Sequence, residues 1–188
     1  IRDRYYTKAE MKSMIQNYRK LGLDIIPEFD TPAHSLSFTK VRPDLRFGTT
    51  GRQNDHFNLN TKYDESLAFV ESIWDEYIKG DDPVFDRDTI VNIGTDEYDG
   101  QYTEQFRKFT DDLLAYIQDN GNTVRLWGSL TARSGSTSVR SEGVQMNIWN
   151  DGWANPKAMY QQGYDLKEIG VKLAENYCKQ VLDDAFFH

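Results

Sequence analysis

The chain has 188 residues, 38% of them apolar and 13% aromatic, with 30 acidic against 22 basic side chains and a formal net charge of −8. That is enough chain for one domain with a real core, and too apolar for a disordered segment. The acidic balance argues against nucleic acid and against an anionic membrane surface, and no apolar run approaches the roughly 18 residues of a membrane span.

Thr7-Lys8-Ala9-Glu10 reads as a capping box, and Met11, Met14, Ile15 and Tyr18 follow at helical spacing up to Gly22. "LDIIPEFD" (23–30) reads as a short apolar strand with Pro27 marking its end. Residues 31–60 mix polar and aromatic side chains without a period, as a long loop does. "DESLAFVESIWDEYIKG" (64–80) is an amphipathic helix with Leu67, Val70, Ile73, Trp74 and Tyr77 on one face. "TIVNIG" (89–94) is the next strand and "EQFRKFTDDLLAYIQDNG" (104–121) the next helix. "TVRLWGS" (123–129) and "VQMNIW" (144–149) are strands on either side of the Ser/Gly-rich "TARSGSTSVRSEG" (131–143). "NPKAMYQQG" (155–163) is a short helix with proline near its start, and residues 166–182 again show helical spacing.

Helices alternating with short apolar strands give a parallel sheet covered on both faces. A closed α/β barrel and an open doubly wound sheet both fit. No Gly-rich phosphate loop follows any strand, which lowers the nucleotide-binding reading. Chemically capable residues close every strand: Glu28, Asp30 and His34, then Asp96 and Glu97, then Trp127, then Trp149 and Asp151. Barrel active sites are built at those strand ends, and a complete barrel needs about 250 residues. The expected architecture is therefore a (β/α)8 TIM-type barrel of which roughly half is present. The chain opens inside "IRDRYYTKAEM", as a segment of a longer protein would.

Asp96 and Glu97 sit side by side in "IGTDEY". On a strand they would face opposite sides and could hold different protonation states. Composition alone slightly favours a solvated acidic turn, since Asp99 and Gly100 follow. Asp30 and His34 lie four apart across a proline turn, where an acid can orient an imidazole. His56 and His188 stand in no ligand-like spacing with His34, and Cys178 is the only cysteine, so neither a metal site nor an intrachain disulfide is expected. Trp74 lies on the apolar helix face and belongs to the core. Trp127 and Trp149 fit a pocket wall or the core.

The combination is more specific than its parts. "YYTKAEMKSMIQNYRKLGLDIIPEFDTPAHS", "IVNIGTDEY", "RLWG" and "MNIWND" follow one another on successive strands, and over residues 4 to 166 this resembles glycoside hydrolase family 20. That family holds the β-N-acetylhexosaminidases and their lacto-N-biosidase relatives. The resemblance implies substrate-assisted retaining hydrolysis, in which the substrate's own acetamido oxygen is the nucleophile. By motif, Glu97 would be the general acid and base. Asp96 would orient the acetamido N–H. Trp127 and Trp149 would wall the acetamido pocket, and Asp30 and His34 would be the polar pair beside the acid. Tyr98 and Asp151 would contact substrate at the rim. It implies no cofactor and no metal, an N-acetylhexosamine-containing glycan as partner, and a secreted or cell-surface setting in a bacterium. Ala33 stands where the family usually has glycine, and residues 167–188 depart from its pattern. The family's arginine of the first barrel strand, its Tyr and Asp of the seventh and its Trp of the eighth are not found. Release of a disaccharide, or carbohydrate binding without catalysis, are the competing expectations.

Overall fold

The computed structural model describes residues 5–168. Its elements are α1 (Lys8–Lys20), β1 (Glu28–Thr31), α2 (Leu36–Val41), α3 (Tyr63–Ile78), β2 (Val91–Gly94), α4 (Thr103–Asp119), β3 (Val124–Trp127), β4 (Val144–Ile148), α5 (Pro156–Gln161) and β5 (Asp165–Glu168). The capping box of α1 is present: the Thr7 hydroxyl accepts from the Glu10 amide, and the Glu10 carboxylate accepts from the Thr7 amide.

The five strands form one parallel sheet in the order β1-β2-β3-β4-β5. Each strand pairs with the next in sequence. A doubly wound sheet reverses its strand order at a switch point, and none occurs among the described residues. All four residues of β2 are buried. The buried apolar side chains form one cluster between the sheet and the helices. Trp74 of α3 is fully buried there, its ring 4.6 Å from that of Phe29 on β1.

Three expectations need correction. The first strand begins at Glu28, where the sequence suggested its end. Pro27 has no N–H to give a ladder, but its carbonyl accepts from the Asn92 amide at 2.9 Å, so pairing starts immediately after the proline. Residues 31–60 are no open loop. They hold α2 and two 3₁₀ turns, Pro43–Leu45 and Gly51–Asp55, and they bury Leu45, Phe57 and Leu59 completely or nearly so. Residues 165–168 form a fifth strand and not the start of a helix, because Asp165 to Glu168 pair in register with Gln145 to Ile148. The rest of the expected helix over 166–182, with Cys178, His188 and the departure from the family pattern over 169–188, lies outside the described residues.

Candidate functional site

The ends of β1 and β2 build the site. The two strands pair Glu28 with Asn92 and Thr31 with Gly94, with a register irregularity between that leaves one extra residue on β1. Such bulges re-aim neighbouring side chains and are over-represented next to active sites. Beyond them the backbone turns left-handed at four positions: His34 (φ 52°), Gly94 (φ 73°), Thr95 (φ 67°) and Glu97 (φ 48°). For a side chain other than glycine this costs about 1–3 kcal/mol each, and it persists only where surrounding contacts enforce it. One such contact is the Thr95 amide donating to the Thr31 carbonyl at 2.9 Å, which joins the two turns.

Because β2 ends at Gly94, strand alternation does not govern the pair that follows. Asp96 and Glu97 do not face opposite sides; both reach the same imidazole nitrogen. Glu97 Oε2 lies 3.3 Å and Asp96 Oδ2 3.9 Å from His34 Nε2. The other ring nitrogen, Nδ1, is 3.6 Å from Asp55 Oδ2. Asp55 ends the Gly51–Asp55 turn, and its Oδ1 is 2.7 Å from His56 Nδ1. Sequence reasoning passed over Asp55, since only the fold carries the 51–55 turn to the mouth of β1.

Burial acts on both aspartates of this cluster. Burial pushes the Asp30 carboxyl up to about 9, and the neighbouring Asp96 and Glu28 push the same way. Burial also raises Asp96, with His34 pulling part of the way back. Asp30 Oδ1 and Asp96 Oδ1 are both buried without a hydrogen-bond partner among the described residues. Burial raises both aspartates, and each disfavours ionisation of the other, so the pair holds protons more tightly than free carboxyls do. Asp30, His34 and Asp96 offer ligand atoms within 4.8 Å of one another.

Aromatic side chains close the next two strand ends. Trp127 ends β3, and its indole N–H donates to Glu28 Oε2 at 3.0 Å. The same oxygen accepts from Asn92 Nδ2 at 2.7 Å, and burial raises Glu28 above the usual carboxylate range. Trp149 follows β4 directly, its indole N–H donating to the Gly128 carbonyl at 2.9 Å. Its ring stacks on Trp153 at 5.7 Å and 27°. Trp153 escaped the sequence reading because no periodic or motif signal marks it. Asp151 sits in the turn between the two tryptophans, and its Oδ1 is buried with no hydrogen-bond partner among the described residues.

Tyr98 is a correction. It was expected at the rim, yet it is fully buried between the rings of His56 and Phe106. Its hydroxyl donates to the Phe57 carbonyl at 2.7 Å and accepts from the Leu59 amide at 3.2 Å. The ring anchors the turn that carries Glu97 and has no surface left for a ligand.

The catalytic-domain profile of glycosyl hydrolase family 20 matches residues 1–105. The chain is 23% identical over 184 residues to lacto-N-biosidase of Bifidobacterium bifidum, covering 86% of this chain and 16% of that one. It is 31% identical over 113 residues to human β-hexosaminidase subunit beta, covering 56% and 19%. Among solved structures, Flavobacterium johnsoniae chitobiase superposes with a TM-score of 0.68 at 17% identity, over 87% of this chain and 28% of that one. Streptomyces plicatus N-acetyl-β-hexosaminidase does so at 0.67 and 19%, over 87% and 33%. The chain thus spans under a fifth of those two curated relatives.

Proposed function

The chain belongs to glycosyl hydrolase family 20, and from that premise we propose that it carries the acid/base part of an enzyme that removes terminal β-linked N-acetylhexosamine from glycans. Its five strands would be one arc of a (β/α)8 barrel. The observation that carries the reading is the convergence of Asp96 and Glu97 on His34 Nε2 at the carboxyl ends of β1 and β2.

In this proposal the sugar's acetamido oxygen attacks the anomeric carbon while Glu97 gives its proton to the departing glycosidic oxygen. Asp96 accepts the acetamido N–H and offsets the positive charge that grows on the resulting oxazolinium ring. Water then attacks the anomeric carbon, losing its proton to Glu97, and the ring reopens. No protein nucleophile is needed, so the two carboxylates can be neighbours in sequence. Asp30, whose carboxyl burial raises, would stay neutral beside Asp96 and spare it a second negative charge. His34, backed by Asp55, contacts both working carboxylates. Trp127 and Trp149 would bracket the acetamido methyl, with Asp151 nearby. A secreted or cell-surface placement in a bacterium is part of the same proposal, as is the absence of a cofactor.

Replacing Glu97 by Gln should lower hydrolysis of an aryl N-acetyl-β-glucosaminide by about a hundredfold or more. An unchanged rate would defeat the proposal. A second reading, release of a disaccharide, is supported by the match to a lacto-N-biosidase over 86% of this chain. Turnover of aryl lacto-N-bioside in preference to the monosaccharide glycoside would select it.

A further inference from the structure

We infer that Arg133 is a positioning residue, tying the turn that carries the acid to the tryptophan wall. The inference rests on the hydrolase reading above. Arg133 Nε–H donates to the carbonyl of Tyr98, the residue after Glu97, at 2.6 Å. The same guanidinium lies over Trp153, 4.6 Å from its ring centroid, and Trp153 stacks on Trp149. One side chain therefore touches the loop after β2 and the aromatic stack after β4 together.

Arg133 is itself held from behind. Its amide donates to the Ser129 carbonyl at 2.9 Å, and its carbonyl accepts from Arg107 Nη1 at 2.9 Å. Arg107 on α4 also donates through Nε to the Thr137 carbonyl at 2.6 Å. The amides of Thr131 and Ala132 donate to the Trp153 carbonyl at 3.0 and 3.1 Å. Glu104 accepts the amides of Ser136 and Thr137, each at 2.8 Å. The 129–137 loop is thus fastened to α4 and to the Trp153 turn, and Arg133 projects from it across the strand ends.

The residue type matters. A planar guanidinium can donate along Nε and present a face to an indole at once, whereas an ammonium is a point charge that can serve one partner well. Tyr98 has its ring clamped and its hydroxyl engaged, and its carbonyl gives Arg133 a hold on the Tyr98–Asp99 peptide, one residue beyond left-handed Glu97. Holding that carbonyl against the Trp153 stack fixes where the acid stands relative to a sugar seated on Trp149. Misplacing a reacting group by an ångström is costly even when nothing that touches substrate has changed.

The test compares Arg133→Gln and Arg133→Lys with the parent chain on two substrates. One is a disaccharide of N-acetylglucosamine, whose leaving alcohol needs protonation. The other is a dinitrophenyl N-acetyl-β-glucosaminide, whose leaving group does not. Arg133→Gln should lower kcat on the disaccharide by about tenfold or more while the dinitrophenyl substrate changes by about twofold or less. Arg133→Lys should fall between. Equal losses on both substrates would mark Arg133 as merely structural and overturn the inference, as would no loss on either. The stacked indoles give a second readout, an exciton couplet in the circular dichroism that should weaken in Arg133→Gln and survive in Glu97→Gln. An unaltered couplet in Arg133→Gln overturns the inference. If the parent chain hydrolyses neither substrate, the kinetic comparison bears on the hydrolase reading alone, and the couplet still decides whether Arg133 holds the stack.

Discussion

Gly94 is where the sheet and the site meet, and replacing it with alanine tests both. The position is left-handed at φ 73°, and an added Cβ would stand 2.5 Å from the Asp30 Cα, with the Asp30 carboxylate closer still. Carbon atoms pack at about 3.5–4.0 Å, so β1 and β2 must part by about an ångström where Thr31 faces Gly94. The backbone conformation alone costs about 1–2 kcal/mol. Overpacking against a backbone atom adds about 1–3 kcal/mol. The sum is a loss of about 2–5 kcal/mol, measured by urea denaturation followed through tryptophan fluorescence. Gly22→Ala supplies the control, because Gly22 shares the conformation (φ 77°) and has nothing within 4 Å of the added carbon. It should lose only the conformational part, about 1–2 kcal/mol. Equal losses in the two variants would refute the claim that Gly94 is required by its approach to Asp30.

Asp30 makes stability depend on pH with a definite sign. The folded chain keeps this proton up to about 9 while an unfolded aspartate releases it near 3.8, so between those values the folded state binds more protons. Stability should therefore fall as pH rises from about 4 towards 9, and Asp30→Asn should flatten that slope and be the more stable protein at neutral pH. Denaturation midpoints taken across that range check it; a slope undiminished by the substitution contradicts it, since only the smaller part from Asp96 and Glu28 should remain. Glu28→Ala should cost about 1–3 kcal/mol, because the buried Asn92 amide loses its acceptor, whereas Glu28→Gln keeps an acceptor oxygen and should recover most of the loss. Urea titration of the pair is sufficient. Trp74→Ala should cost about 3–5 kcal/mol, as expected for a fully buried indole, and calorimetry would expose a smaller effect.

The sequence was most legible where a signal is local. The capping box at Thr7, the apolar face with Trp74 and the runs that became β2, β3 and β4 are each readable within a few residues. The strand after Pro27 was not, because its start is set by which carbonyl Asn92 finds. The strand at Asp165–Glu168 was not, because four residues of mixed polarity become a strand only when β4 offers an edge. In the site, the motifs singled out Asp30, His34, Asp96 and Glu97, which the fold brings together. They did not separate Tyr98, which the fold buries, from its neighbours. Asp55, Trp153 and Arg133 owe their positions to distant segments, and no local pattern announces them.

On the acid/base role proposed for Glu97, the left-handed turn that carries Thr95 and Glu97 would set folding and chemistry against each other. Glycine or asparagine would occupy those two backbone conformations at lower cost than threonine or glutamate does. A laboratory selection for heat resistance alone should therefore drift position 97 away from glutamate, and each step would arrive as a sturdier protein with less turnover. Ranking all substitutions at position 97 by melting temperature and by activity should give opposed orders.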